Sequence, residues 1–206
     1  IEQGYDGVFG VNITSGLSST INMVSMVAQQ KGVKYDFFDC WTTARVQLQC
    51  ALKAVDLFNE GKDFEQVKSE LKEMADHSIT FVIPVDMDHL VRGGRITPMA
   101  GKFAGLLKIV PILYLNEKTG GKNDSYKKVR TLKKAFSTVV NHMVEAGVDS
   151  SYKICVVHVK DEAAGQQLYD MILEEIPDAD IYLVDLVPVV GVHTGLGAVA
   201  TQYVKK

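Results

Sequence analysis

The sequence predicts an α/β fold, in which a parallel sheet with flanking helices is followed by a second, mixed α/β domain. Strand-like apolar runs alternate with helical periodicity through the first 77 residues, a pattern that favours parallel strands joined by helices. Past Ser78 the texture changes, and a glycine hairpin signal enters. The chain has 206 residues, 47% of them hydrophobic and 23% charged, so it reads as globular with material for a sizeable core.

Val8, Phe9, Val11 and Ile13 form the first strand-like run, and Ile21, Val24, Val27 and Ala28 recur at helical spacing after it. Val33 to Phe38 reads as a second strand. Ala44, Leu48, Ala51, Leu52, Val55 and Phe58 share one helical face, and Phe64, Val67, Leu71, Met74 and Ala75 give another helix. Ile79 to Val85 reads as a strand, "HLVRGGRI" as a turn, and Thr97-Pro98 as a helix cap with proline in the first turn. Ile109 to Leu115 and Ser125 to Val129 flank "NEKTGGK" as a hairpin. Leu132, Ala135, Phe136, Val139, Val140, Met143 and Val144 make the clearest amphipathic helix. Strands at Ile154–Val159 and Ile181–Val187 enclose a helix at about Glu162–Glu175. The division falls near Asp76–Ser78, giving residues 1–77 and 78–206 as two domains. The chain opens on Ile1, and Tyr5 to Ile13 already reads as the approach to a strand, so a natural amino-terminal portion is expected to be absent.

Net charge is -3, which argues against a general affinity for nucleic acid. Cys40, Cys50 and Cys155 are odd in number and scattered, so a reducing cytoplasm fits better than a disulfide framework. No apolar run approaches the ~20 residues that span a bilayer, and no integral membrane association is expected. His77, His89, His142 and His158 show no ligand spacing, so no metal site is expected. Seven cations against Glu117 and Asp124 give residues 117–134 a local charge of +5, either a solvated hairpin or a surface for an acidic partner.

Three stretches carry candidate chemistry. "NITSGLSST", Asn12 to Thr20, sets five hydroxyl residues around Gly16 where a strand meets a helix. In an open α/β sheet that position faces ligands, because helix amino termini point free N–H groups outward. Ser15, Ser18 or Ser19 can hold an anion there, or Ser15 or Ser18 can simply cap the helix. Without a Gly-Lys-Ser/Thr ending the loop is no P-loop, and without Gly-x-Ser-x-Gly it lacks the nucleophile elbow. A catalytic Ser15 would need a base such as His193 and an orienting acid that the sequence does not identify. "LVRGGRI" places Arg92 and Arg95 around two glycines, suited either to a carboxylate or phosphate or to a turn with surface ion pairs. "GVHTGLGA" holds His193 and Thr194 in a glycine frame whose spacing is not a dinucleotide fingerprint.

"ITSGLSST", "LVRGGRI" and "VGVHTGLGA" in that order, with "KIVPIL" and "KKVRTLKKA" between the last two, resemble the DegV family of bacterial fatty-acid-binding proteins over nearly the whole chain. The resemblance implies two α/β domains with one long-chain fatty acid between them, its carboxylate held by hydroxyl groups and its tail buried. It implies no catalytic residue and no cofactor. In this family the bound acid is presented to a separate fatty acid kinase related to dihydroxyacetone kinases, for phospholipid synthesis. Carried over by motif, Ser15 is the carboxylate ligand, with Gly16 and Ser18 completing the loop. Arg92, Arg95 and His193 are candidates near the head group or facing the kinase. The sequence departs from the family at Ser19, where glycine is usual, at "DCWTTARVQ", and at Leu196, where proline is frequent. The family's Asp-Ser strand and Thr-Ser loop do not precede Ile1. The competing enzyme reading makes Ser15 the nucleophile of a hydrolase or acyltransferase.

Overall fold

The computed structural model describes residues 4, 5, 7–106 and 108–206. Asp6, within the expected approach to the first strand, lies outside them, as does Ile1.

The parallel pair expected in the first part is present. β1 (Val8–Asn12) and β2 (Tyr35–Asp39) run side by side, from Val8 opposite Tyr35 to Asn12 opposite Asp39. They are joined by α1 (Thr20–Gln30), which turns Ile21 and Ala28 inward. α2 (Ala44–Asn59) and α3 (Phe64–Asp76) follow. α3 starts at a reciprocal cap, in which Asp63 accepts from the Gln66 N–H and Gln66 accepts from the Asp63 N–H. Val46, Cys50, Ala54, Leu57, Val67, Leu71 and Ala75 of these helices pack with Phe38 and Cys40 in one cluster.

The second sheet has six strands: β3 (Ile79–Ile83), β4 (Val110–Leu115), β5 (Asp124–Val129), β6 (Tyr152–His158), β7 (Asp180–Asp185) and β8 (Val199–Lys205). Their order is β5-β4-β3-β8-β6-β7, and every neighbouring pair is antiparallel except β6–β7. The last strand, which the sequence reading did not include, therefore lies at the centre. Successive side chains on a strand point to opposite faces. Val199 and Tyr203 of β8 thus join Phe81, Ile112, Ile154 and Val156 under α6 (Leu132–Glu145) and α7 (Glu162–Glu175). Ala200, Gln202 and Val204 face the other way, and Val204 enters the cluster of α2 and α3. α6 buries Ala135, Phe136, Val139, Val140 and Met143 along one stripe. Full burial of each larger side chain contributes about 1.5–3 kcal/mol.

Two expected turns are helices. Leu90, Val91 and Arg92 of "LVRGGRI" lie in α4 (Met87–Gly93). Asp86 caps its start by accepting from the His89 N–H at 2.8 Å, Met87 and Leu90 anchor it, and Gly94 ends it in the left-handed conformation at φ 70°. α5 (Pro98–Gly101) then begins at Thr97, as expected. "GVHTGLGA" is the end of α8 (Pro188–Thr194), with His193 in its last turn, followed by Gly195 and Gly197 at φ 85° and 78°. The glycine frame read there is thus a helix end with a sharp exit into β8. α8 spans only seven residues and exposes Val189 and Val192, so no amphipathic period marks it. Among the described residues no helix is long and apolar enough to cross a membrane.

Candidate functional site

The hydroxyl loop leaves β1 and is pinned from three sides. Thr14 is fully buried, donates its N–H to the Thr42 carbonyl at 3.0 Å, and accepts from the Gly16 N–H at 3.3 Å. Ser15 is exposed, and its N–H donates to Oδ2 of Asp39 at 2.9 Å. Oδ1 of the same carboxylate accepts from the Trp41 N–H at 2.9 Å, so Asp39, at the end of β2, ties this loop to the next one. One donor in the loop is therefore already taken by Asp39, while the Ser15 hydroxyl makes no hydrogen bond among the described residues. Ser18 Oγ pairs with the Thr20 hydroxyl at 2.8 Å and accepts from the Thr20 N–H at 3.3 Å, a local helix-start role. The N-cap position itself is Ser19, whose side chain makes no capping bond.

Gly16 has a packing task. A Cβ there would stand 2.2 Å from the Gly120 carbonyl oxygen and 2.6 Å from the Gly121 carbonyl carbon, so only glycine lets the loop press on the hairpin turn. Gly121 meets Thr14 in the same way, at φ 70°.

The structure brings two of the other candidates to this loop in a chain of contacts. Arg95 donates from Nε to the Leu17 carbonyl at 3.3 Å and from a terminal nitrogen to the Gly93 carbonyl at 2.8 Å. His193 packs against Gly93, with Nδ1 3.6 Å from where a Cβ would be. Nearby, His89 Nε2 bonds the Val192 carbonyl at 2.7 Å and holds α4 to α8. Arg92 is exposed on the last turn of α4 and makes no ion pair among the described residues. No histidine nitrogen bonds the Ser15 hydroxyl among the described residues, so the nucleophile reading finds no base.

Behind the loop lies a narrow, mostly apolar cleft of about 40 Å³. Leu17 of the hydroxyl loop lines it, Thr43 and Ala44 come from the start of α2, and Val82, Leu115, Val157 and Ala200 come from the sheet. Leu186, Val190 and Thr194 close it from α8 and the segment before it. Burial raises the Cys155 thiol and the Tyr182 hydroxyl above their ordinary ranges, so this face of the sheet carries no charge from them at neutral pH.

Sequence reasoning missed the polar floor of the cleft. Gln202 Nε2 donates to the Thr80 hydroxyl at 2.7 Å and to the Thr43 carbonyl at 3.0 Å, while Gln202 Oε1 accepts from the Arg45 N–H at 2.9 Å. The Thr80 hydroxyl also pairs with that of Thr42. Asn123, another lining residue, was missed as well. The one local signal was a glutamine and a threonine set among apolar strand residues. Among the described residues, no three or more His, Cys, Asp or Glu side chains gather as a metal site.

Sequence comparison resolves the kinship. The family model described as uncharacterised protein, DegV family, matches residues 1–206. The chain belongs to the DegV family. A DegV domain-containing protein of Streptococcus pneumoniae is 30% identical over 207 residues, covering 98% of this chain and 72% of the relative. Among solved structures, a protein described as a fatty acid binding DegV family protein from Streptococcus agalactiae superimposes with a TM-score of 0.89 at 29% identity. That match covers 100% of this chain and 72% of the other. The structure described as DegV, a fatty acid binding protein from Bacillus subtilis, matches with a TM-score of 0.81 at 28% identity, covering 99% and 72%. The mixed α/β architecture of this DegV chain is thus the DegV fold.

Proposed function

We propose that this chain binds one long-chain fatty acid, with the start of the tail at the cleft lined by Leu17 and the carboxylate at the Ser15 hydroxyl, and presents that carboxylate to a fatty acid kinase related to dihydroxyacetone kinases. On this reading it is the lipid-binding subunit of a cytoplasmic phospholipid-synthesis system and performs no chemistry itself. Residues 1–77 and 78–206 act as the two units that enclose the ligand. The observation that carries the reading is an apolar cleft whose lining includes Leu17, two residues after the exposed Ser15. Two similar proteins described as fatty acid binding support it.

The energetics suit a carrier. Burying a sixteen-carbon tail at about 0.8 kcal/mol per methylene contributes roughly 12 kcal/mol before entropy costs. A charge-assisted hydrogen bond at the carboxylate adds only about 1.5–3 kcal/mol. The tail sets affinity, and the head group sets depth and orientation. Arg95, which braces the loop at Leu17, and His193, which packs on Gly93, fit a rim around the exposed acid.

Mass spectrometry of small molecules extracted from the purified protein tests the ligand class, and an acyl chain is expected. Ser15→Ala is expected to weaken binding and to lower acyl-phosphate formation with the kinase. Unchanged values for both would remove Ser15 from the site.

A further inference from the structure

We propose that Asn123 makes the cleft selective for acyl chains that carry a hydroxyl close to the carboxyl group. The inference rests on the acyl-binding reading above.

Asn123 is 6% exposed and lines the cleft. Its Nδ2 donates to the Arg95 carbonyl at 2.9 Å, which sets the orientation of the amide. Its main chain is held as well, by its own N–H to the Arg95 carbonyl at 3.3 Å and by the Thr97 N–H to its carbonyl at 2.8 Å. Oδ1 is buried and has no hydrogen-bond partner, and Asn123 is the only cleft-lining residue among those with such orphaned side-chain atoms in the described residues. The side chains of Gln202, Thr80 and Thr194 there are engaged. Gln202 bonds Thr80, the Thr43 carbonyl and the Arg45 N–H, and the Thr194 hydroxyl turns back toward the Gly191 carbonyl at 3.4 Å.

A buried acceptor without a donor is destabilising, so a site that keeps one is built for a donor that arrives with the ligand. The position of Asn123 says where on the ligand that donor lies. Asn123 stands two residues after Gly121, which presses on Thr14 of the hydroxyl loop, and it is bonded to Arg95, which reaches Leu17. These contacts tie the orphan acceptor to the hydroxyl loop, the side on which the proposed head group lies. A bare carboxylate offers it only lone pairs, whereas a hydroxyl a few carbons along the chain offers the missing proton. A site lined by unpaired polar groups discriminates strongly against analogues that lack the partner.

The test compares hexadecanoic, 3-hydroxyhexadecanoic and 12-hydroxyhexadecanoic acids in direct binding measurements on the wild-type protein and on Asn123→Leu and Asn123→Ala. The wild type is expected to favour the 3-hydroxy acid over the 12-hydroxy acid by about tenfold, the scale of one buried hydrogen bond. Both variants are expected to lose that preference while still binding hexadecanoic acid. Equal wild-type affinities for the two hydroxy acids would overturn the proposal without recourse to the variants. So would an unchanged preference in a folded variant, or a water molecule found alone on Oδ1 in a crystal of the 3-hydroxy complex. Failure of the wild type to bind any of the three acids would instead overturn the acyl-binding reading itself.

Discussion

Arg95 donates from Nε to the main-chain carbonyl of Leu17 at 3.3 Å, linking the segment after α4 to the loop that carries Ser15. The contact joins two motifs that lie 78 residues apart in the chain. Because Arg95 is exposed, its loss leaves the core intact, and Arg95→Ala is expected to change the melting temperature little while weakening fatty-acid binding several-fold. The planar guanidinium bonds Leu17 and Gly93 together, so lysine is not expected to restore affinity. Binding titrations of the two variants check this. Full affinity in Arg95→Ala would remove it from the head-group region.

Gly16→Ala is expected to be far more damaging than its exposure suggests. The added methyl meets backbone atoms of Gly120 and Gly121, which cannot rotate away as a side chain would. The loop and the hairpin must separate, at a cost of about 1–3 kcal/mol. Urea unfolding of the variant measures the loss.

Ala44 sits at φ 53°, in the left-handed region, at the start of α2 and on the wall of the cleft. A residue with a Cβ pays about 1–2 kcal/mol for that conformation. Ala44→Gly is therefore expected to raise stability by up to about 1 kcal/mol, part of the gain being offset by the greater freedom of glycine in the unfolded chain. A lower urea midpoint in the variant would contradict this.

Burial lowers the pKa of His142 below its ordinary value of 6.5. The ring bonds the Tyr126 hydroxyl through Nδ1 and the Tyr203 hydroxyl through Nε2, each at 3.1 Å, and is neutral in the fold. The unfolded chain protonates His142 as pH falls below about 6.5, before the folded protein does, so the unfolded state binds more protons in that window. Stability from this site is complete above pH ~6.5 and is lost as pH falls toward the lowered folded pKa. In His142→Gln the slope of unfolding free energy between pH 6.5 and 5 is expected to flatten. An identical slope would place the dependence on other groups.

Much of the fold was legible because it is written in local periodicity. The helix at Glu162–Glu175 was located to the residue, and the hairpin of β4 and β5 stood out through its glycines. β8 was not legible. Its apolar residues alternate between two buried faces with Thr201 and Gln202 among them, so the strand shows neither an apolar run nor a clean alternation. The helical identities of "LVRGG" and "GVHTG" were hidden because glycine-rich stretches look like turns, and helices of seven residues are too short to show a period.

The sequence by itself determined the alternation of strands and helices, the DegV kinship carried by three ordered motifs, and the hydroxyl loop around Ser15. Tertiary structure alone decided what faces the cleft. Thr80, Asn123 and Gln202 come from separate parts of the chain and meet only because β8 inserts between β3 and β6, and because the hairpin turn presses on Gly16. Side-chain direction along a strand is a local property, whereas the choice of neighbouring strand depends on burial summed over the whole sheet, which no short stretch of sequence contains.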